Sequence, residues 1–341
     1  MFYAGIDLSA RDSHLCVLDE NLSIHLQQKA PNELPRIASL LDPFKPNLQV
    51  VVESTFNWYW LVDGLLDLGF DLCLAHTLGL ATITQAKVKT DRRDAFALAK
   101  LLRAGVIPKA YIYPAPTRPV RDLLRRRMKE VALRAHEYGS LRQLLLREGI
   151  LTSSRNEIKL ANDEDLREWF THPLVVMSAS HQLERIDLLS KQIQELEQQV
   201  LLLTRDKDDY KRLLEISGIG KILALTILYE VGEITRFKGV RHFSSYCRLV
   251  PGVAQSGAVT RRGRSSKQGN HYLKSAFNQA AVVAVRSYPG IKRCYERHLA
   301  RHRGSARKLV AYNVIAHKLA QAVYFVLKQG EDYREEMLFG K

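Results

Sequence analysis

The 341-residue sequence lacks the features that mark several common protein classes. It has no apolar run that we judge long enough to span a bilayer, so a membrane protein is the weaker interpretation. Its four cysteines stand singly without a CxxC pair, a spacing that argues against zinc sites and disulfide frameworks: Cys16, Cys73, Cys247 and Cys294. The first residues carry neither a basic segment nor a cleavage-site pattern, and we therefore expect a cytoplasmic protein.

Acidic residues are absent between Glu233 and Glu296, although the same interval is rich in lysine and arginine. The whole chain carries a formal net charge of +15. Such a balance favours a polyanionic partner, most simply nucleic acid. Within the acid-free interval, basic residues alternate with glycines in what we predict to be a loop that approaches phosphates closely: Arg261, Arg262, Arg264 and Lys267.

The N-terminal part of the sequence alternates strands and helices. Three strands come first, at Phe2–Asp7, Ser13–Leu18 and Ser23–Lys29. The remaining predicted elements are a helix at Pro31–Leu41, a strand at Leu48–Glu53, a helix at Tyr59–Leu68, a strand at Asp71–Ala75 and a helix at Asp91–Arg103. This order predicts a ribonuclease-H-like α/β domain over residues 1–112.

Four acids occupy the ends of these predicted elements. Asp7 and Glu53 each close an apolar strand, and Asp91 and Asp94 share one face at the start of a helix. Asp91 alone is well explained as a helix cap. If the four carboxylates converge at the sheet edge, they need a counter-charge, and Mg²⁺ is the cation that such oxygens favour.

The rest of the chain reads as mostly helical. Prolines near residue 116 mark a boundary, and two long helices follow in a region that we assign to residues 113–206. A heptad seam in the second helix fits either an intramolecular hairpin or an oligomer contact, and we favour the oligomer contact: Ile186, Leu189, Ile193, Leu196, Val200 and Leu203. Between these helices, Thr152–Thr171 is polar and mixed in charge and is predicted to be a loop or an irregular insertion.

A C-terminal domain is predicted over residues 207–341, closing with helices at His271–Val285 and Ser305–Leu327. It opens with the pattern of a helix-hairpin-helix, in which Gly218 and Gly220 permit a tight turn. Exposed backbone N–H groups there, together with Lys221, suit a nucleic-acid phosphate. A plain helical turn is the alternative explanation.

Ser256 lies between Gln255 and Gly257 in the basic loop. By itself a Ser-Gly pair is more often a turn than a nucleophile. A serine hydroxyl also needs a base or a metal to activate it. His242 and His271 are near in sequence only, and each is better explained as a structural residue.

Two ordered sets of motifs carry a family resemblance. The first set is Gly5-Ile-Asp-Leu, Val52-Glu-Ser-Thr and Lys89-Thr-Asp-Arg-Arg-Asp-Ala95. The second set is Ile216-Ser-Gly-Ile-Gly220, Arg236-Phe, Leu249-Val-Pro251, Gln255-Ser-Gly257, Arg262-Gly-Arg264 and Lys267-Gln-Gly-Asn270. By these motifs the chain resembles, nearly end to end, the DEDD-type insertion-sequence transposases, which are bridge-RNA-guided recombinases.

The resemblance implies a RuvC-like domain, a central coiled coil that drives dimerisation and a C-terminal transposase domain. It implies that Mg²⁺, or Mn²⁺ in its place, is bound by Asp7, Glu53, Asp91 and Asp94, and that Ser256 attacks DNA to give a phosphoserine intermediate. It further implies an element-encoded guide RNA, donor and target DNA, and a dimer that becomes a tetramer on DNA. The acids of one subunit would work with the serine of another, at the nucleoid of a prokaryotic cell.

Two other functions remain open from the residues alone. A RuvC-like, metal-dependent junction endonuclease would use the four acids and water, with Ser256 as a turn residue. A non-catalytic nucleic-acid-binding protein would use only the hairpin and the basic stretch, with the acids as caps and strand-end charges.

Overall fold

A computed structural model describes residues 1–83, 90–150, 155–204, 207–256, 259–263 and 268–339, and it divides into two compact units. The first unit is Met1–Pro116 and the second is Thr117–Lys341. The first is a mixed α/β unit and the second is mostly helical, as the alternation of elements in the sequence predicts. The three-part division at residues 112 and 206 stays a prediction.

In its described part, the first unit contains a six-stranded sheet and four α-helices. Its strands are β1 (Phe2–Leu8), β2 (Asp12–Leu18), β3 (Ile24–Pro31), β4 (Leu48–Glu53), β5 (Asp71–Ala75) and β6 (Lys109–Ala110). Its helices are α1 (Leu34–Leu41), α2 (Tyr59–Asp67), α3 (Thr77–Ile83) and α4 (Asp91–Arg103). The strand order is β3-β2-β1-β4-β5-β6. Strands β1, β4 and β5 are parallel to one another, whereas β2, β3 and β6 pair antiparallel with their neighbours.

Alternate residues of the central strands enter two separate cores, because successive side chains of a strand point to opposite faces. Ala4 and Ile6 of β1 belong to the core that also contains Ile37 of α1 and Leu61 of α2. On the other face, residues of β4, β5 and α4 form a second cluster, which includes Val51, Ala75, Leu98 and Leu102. The face of the sheet that α4 covers is called the α4 face below.

Gly5 lets α4 lie directly on β1. A Cβ atom added at Gly5 would be 2.2 Å from the Ala95 carbonyl oxygen and 2.6 Å from the Ala99 amide nitrogen. Both atoms belong to the backbone of α4, which cannot move aside as a flexible side chain can. The glycine therefore sets the distance between the helix and the sheet.

We expect Gly5→Ala to lower the free energy of unfolding by at least about 2 kcal/mol, because the methyl group overlaps helix backbone. Gly139→Ala is the matched control, since Gly139 lies inside a helix with nothing within 4 Å of an added Cβ. That control should stabilise the chain by about 0.5–1 kcal/mol through helix propensity. Urea unfolding of the three proteins measures both effects, and equal stability of wild type and Gly5→Ala would contradict this packing.

The second unit holds eleven helices and one two-stranded sheet among its described residues. The helices are α5 (Arg118–Arg147), α6 (Arg155–Leu160), α7 (Asp163–Trp169), α8 (Pro173–Thr204), α9 (Asp208–Leu214), α10 (Lys221–Val231), α11 (Val240–Tyr246), α12 (His271–Ser287), α13 (Pro289–Arg301), α14 (Arg307–Gln329) and α15 (Glu335–Phe339). The strands are β7 (Gly252–Ser256) and β8 (Val259–Gly263).

The heptad seam packs within the chain. Helices α5 and α8 lie against each other, and the seam residues Ile186, Ile193 and Val200 are buried. Ile186 shares a cluster with Leu141 of α5. The intramolecular helical hairpin is therefore the alternative that the structure supports, and the seam itself no longer argues for an oligomer. Leu203, at its end, is 65% exposed.

The prediction of a loop over Thr152–Thr171 was wrong for its described part, which forms α6 and α7. Asn162 accepts hydrogen bonds from the backbone N–H groups of Glu164 and Asp165, and Asp165 completes a capping box. Ile158 and Leu166 are buried in the α5–α8 core. The polar composition of this stretch gives no sign of the short apolar face that each of the two helices has.

Helix α14 is long and apolar enough to cross a membrane by length and composition alone, contrary to the expectation that the chain has no such run. Half of the most apolar stretch of this helix is buried inside the protein. Ile315, Leu319 and Val323 are completely buried in the core of the second unit, together with Phe277 of α12. This is the pattern of a core helix.

Candidate functional site

Asp7 and Glu53 lie at the same edge of the sheet. In the parallel pairing of β1 and β4, Gly5 is beside Val51 and Ile6 is beside Val52. Asp7 of β1 and Glu53 of β4 are each two residues further along their strands, on the face that carries Gly5 and Val51. That face is the α4 face, because Gly5 touches α4 and Val51 clusters with Leu98.

The start of α4 brings the other two acids to this face. Thr90 caps the helix by accepting a hydrogen bond from the Arg93 amide, and Asp91 and Asp94 occupy the first turn. Ala95, the next residue, is the one whose carbonyl oxygen meets Gly5. The first turn of α4 therefore begins near the strand ends that carry Asp7 and Glu53.

His14 is a neighbour of these acids that sequence reasoning missed. It stands opposite Asp7 in the antiparallel pairing of β1 and β2. Its Nδ1 atom is buried, has no hydrogen-bond partner among the described residues and lies 3.8 Å from an Asp91 carboxylate oxygen. The sequence places His14 in a predicted strand, where it alternates with Cys16. It does not give the strand register that sets His14 beside Asp7.

The four acids match the chemistry of a hard divalent cation, which binds carboxylate oxygens. Among the described residues, however, no three His, Cys, Asp or Glu side chains are grouped closely enough to hold a metal ion. The Asp91 side chain is 59% exposed. The fold thus brings the right ligand types to one face of the sheet, with side chains that stand apart.

Ser256 belongs to a β-hairpin, and the prediction of a loop here was wrong. It is the last residue of β7 and pairs with Val259, the first residue of β8. Arg261 and Arg262 lie on β8 opposite Ala254 and Val253. β-branched residues on both strands favour this pairing. Gly257, Arg264 and Lys267 are outside the described residues.

The glycines of the predicted helix-hairpin-helix have different surroundings. Gly218 has a φ of +85°, and an added Cβ would be 2.4 Å from the Ala280 carbonyl oxygen of α12. It is therefore needed for a buried contact with α12. Gly220 and Lys221 are exposed at the start of α10, where backbone N–H groups are available to an anion.

A buried polar network in the second unit was also missed. The Glu230 side chain is only 2% exposed and accepts hydrogen bonds from Arg121 Nε at 3.2 Å and from Arg125 Nη2 at 2.9 Å. Asn270 Nδ2 donates a further hydrogen bond to Glu230 at 2.7 Å. A lone acid in the apolar sequence of α10 was the available signal.

The charges of this network determine its protonation state. Burial alone would raise the pKa of Glu230, but hydrogen bonds from Arg125 and Asn270 and the charge of Arg121 outweigh it, and the pKa lies below its usual value. Burial and the charges of Arg125 and Arg248 lower the pKa of His271. Glu230 is therefore an anion at neutral pH, and His271 is held in its neutral form.

We expect Glu230→Ala to lower the free energy of unfolding by about 3–5 kcal/mol, because it leaves two arginines close to an empty, buried position. Glu197→Ala is the matched control. Glu197 pairs with Arg127, but its side chain is 30% exposed, and its loss should cost about 1 kcal/mol or less. Similar losses for the two variants in guanidinium unfolding would contradict the central role of the buried carboxylate.

Comparison with known families gives matches in two segments of the chain. Residues 4–149 match a family model described as a transposase, of the DEDD type of IS110 elements. Residues 210–296 match the model described as the transposase IS116/IS110/IS902 family. The first match contains Asp7, Glu53, Asp91 and Asp94, and the second contains Ser256.

Individual relatives agree with these matches. The transposase for insertion sequence element IS1328 of Yersinia enterocolitica is 23% identical over 346 residues, covering 96% of each chain. The transposase for insertion sequence element IS1111A of Coxiella burnetii is 26% identical over 72% of this chain and 68% of its own. A Sinorhizobium fredii protein named as a transposase, y4qE, is 29% identical, and the chain spans about half of its length, 48%.

The two matched segments define a DEDD-type transposase unit followed by a second transposase unit. The chain belongs to the IS110/IS116 family of insertion-sequence transposases.

Proposed function

We propose that this chain is an RNA-guided DNA recombinase that moves its own insertion sequence, cutting and exchanging DNA strands through a phosphoserine intermediate. The observation that carries the proposal is the common placement of Asp7 and Glu53 on the α4 face, where the first turn of α4 begins. A sheet edge with four acids has no structural need for so much negative charge, since like charges repel.

In this proposal Asp7, Glu53, Asp91 and Asp94 hold Mg²⁺ or Mn²⁺. The bound ion would stabilise the charge that develops on a phosphate during strand cleavage. The residues of the chain orient the carboxylates: β1 and β4 fix two of them, and the Thr90-capped turn of α4 fixes the other two. The exposed Asp91 side chain would turn toward the other three acids to complete such a site.

Ser256 supplies the nucleophile. Its Oγ atom forms a bond to the phosphorus while one bridging P–O bond of the DNA backbone breaks, and the departing oxygen takes up a proton to become a hydroxyl. The proton of the serine hydroxyl passes to solvent or to a base. Attack by a hydroxyl of the partner strand reverses the step, so that the phosphodiester bond is restored without ATP.

The partners follow from charge and from the family. Donor and target DNA and an element-encoded guide RNA are the proposed polyanions, and the acid-free interval between Glu233 and Glu296 supplies the basic surface. We assign phosphate contacts to Gly220, Lys221, Arg261, Arg262, Arg264 and Lys267, whereas the buried Gly218 only shapes the turn before them. In this proposal the chain acts in the prokaryotic cytoplasm, at the nucleoid, as a dimer that becomes a tetramer on DNA.

The finer fold assignments belong to the same proposal. The sheet order β3-β2-β1-β4-β5, with an antiparallel start and a parallel continuation, supports a ribonuclease-H-like, RuvC-like first unit. Helices α9 and α10, joined at Gly218, support a helix-hairpin-helix.

The experiment that tests this function is removal of the metal. Purified protein, RNA from the flanks of its gene and DNA with the element junction should give strand cleavage in Mg²⁺ or Mn²⁺. We expect EDTA to abolish cleavage while DNA retention on a filter persists, because retention depends on Lys and Arg contacts to phosphate. Cleavage that is unchanged in EDTA would contradict the proposal, and DNA retention without cleavage under any metal would favour a non-catalytic binding protein.

A further inference from the structure

The segment that carries Ser256 leaves and rejoins the helical core at one place, the end of α11. On its outgoing side, the amides of Arg248 and Leu249 donate hydrogen bonds to the Ser245 and Ser244 carbonyl oxygens, at 2.9 and 3.1 Å. On its returning side, the amide of Asn270 donates to the Tyr246 carbonyl oxygen at 2.6 Å. The described part of this segment, which contains the β7–β8 hairpin, is therefore fastened at both ends within a single turn of helix.

The returning end is fitted tightly. Gly269 has a φ of +101°, and an added Cβ would lie 2.5 Å from the Tyr246 carbonyl oxygen. Only glycine fits both the conformation and the approach. The outgoing end has its own contact, since Asn313 of α14 donates a hydrogen bond to the Leu249 carbonyl oxygen at 3.0 Å.

Both polar atoms of the Asn270 side chain form hydrogen bonds at this junction, and the residue is only 7% exposed. Its Oδ1 atom accepts hydrogen bonds from the amides of Tyr272 and Leu273 and so caps α12. Its Nδ2 atom donates to the buried Glu230 carboxylate at 2.7 Å. The carboxylate therefore fixes the rotamer of the residue at which the serine segment ends.

Glu230 is fixed in turn by α5. Arg121 and Arg125 both donate to its carboxylate, and Arg125 also stacks on the Tyr272 ring, 4.3 Å from its centroid. Tyr272 lies in the first turn of α12, two residues after Asn270. The arginines thus hold both the carboxylate and the helix that follows the serine segment.

We propose that Glu230 is a positioning residue for the serine hairpin: held by Arg121 and Arg125, it fixes Asn270 and thereby the base of the loop that presents Ser256. The role goes beyond the proposed function and rests on it, because it concerns the step in which Ser256 attacks DNA. Small displacements of a nucleophile are enough to slow such a step by about 100-fold.

Asn270→Asp is the decisive variant, because Glu230 variants also weaken the core. The new carboxylate still caps α12. It loses the N–H donor and sets a negative charge against Glu230. Asn162→Asp is the matched control, since Asn162 caps α7 in the same manner but is exposed to solvent. In the double variant Asn270→Asp with Glu230→Gln, the amide and the carboxylate exchange places.

Two readouts on the full chain test the proposal. The first is the rate of the covalent protein–DNA adduct in Mg²⁺ with flank RNA and junction DNA. We expect Asn270→Asp to slow it by about 100-fold, Asn162→Asp to leave it unchanged and the exchanged pair to recover much of the loss. The second is hydrogen exchange of the free protein, in which the amides of residues 250–269 should exchange at least about tenfold faster in Asn270→Asp alone.

Each outcome is decisive. A wild-type adduct rate in Asn270→Asp, or unchanged exchange over residues 250–269, would overturn the positioning role. Equal slowing by Asn162→Asp would do the same, since it would mark a general loss of stability. A wild-type chain that forms no adduct at all would refute the proposed function instead, and hydrogen exchange would still decide whether Glu230 and Asn270 hold the segment.

Discussion

Ser256→Ala should abolish the covalent protein–DNA adduct while leaving retention of RNA and DNA unchanged. Alanine has no oxygen that can bond to phosphorus, and loss of a serine nucleophile elsewhere lowers rates by about a millionfold. Ser256 is the last residue of β7, and an alanine at this position is compatible with the strand. The adduct of the wild type appears as a shifted band of labelled DNA on a denaturing gel. We expect this band to be absent for Ser256→Ala, although the variant still folds.

The hairpin provides its own control. Thr260 is the other hydroxyl residue of the two strands, on β8 opposite Gln255. Thr260→Ala should form the adduct normally, because it leaves Ser256 in place. Adduct in Ser256→Ala would remove this serine from the mechanism. Cleavage of DNA by Ser256→Ala, with no adduct in the wild type, would favour the junction endonuclease that uses water.

Asp94→Asn should lower Mg²⁺-dependent cleavage by at least about a thousandfold. Asparagine keeps the size of the side chain but loses the charge that a hard cation requires. A thousandfold loss corresponds to about 4 kcal/mol in the barrier, which is within the range of metal stabilisation of a phosphoryl transition state. Asp67→Asn is the matched control, because Asp67 is an exposed acid at the end of α2, on the opposite face of the sheet.

Unfolding of the same variant, with and without Mg²⁺, gives a second test. Without metal, Asp94→Asn should change the free energy of unfolding by no more than about 1 kcal/mol, because the loss of a carboxylate from the first turn of α4 opposes the relief of repulsion among the acids. Added Mg²⁺ should then stabilise the wild type and not the variant, since a ligand that binds only the folded state raises stability. Full cleavage activity in Asp94→Asn would contradict the role of the four acids.

Local signals in the sequence were sufficient for much of the first unit. The helix Asp91–Arg103 was predicted with its observed bounds, because Thr90 and the acids of the first turn mark a helix start. The strand Leu48–Glu53 was also predicted as observed, since a short run of β-branched residues ends at an acid. Both elements carry candidate site residues, so their common sheet edge could be foreseen.

Contacts between distant residues could not be foreseen. Glu230 meets Arg121 across a sequence separation of 109 residues, and nothing near either residue indicates the other. Likewise, the choice between a hairpin and an oligomer contact for the seam of α8 depended on whether α5 folds back onto it. The β7–β8 hairpin was taken for a loop, because glycines and arginines obscured a short alternation of β-branched residues.

The most direct test of the central claim is to find the residue that becomes joined to DNA. The trapped adduct should be digested with trypsin and analysed by mass spectrometry. Cleavage after Arg248 and Arg261 releases the peptide Leu249–Arg261, in which Ser256 is the only serine. Our account predicts that this peptide carries a nucleotide phosphate on Ser256 and that the modification requires Mg²⁺. Cleaved DNA with an unmodified peptide, or a nucleotide attached to any other residue, would contradict it.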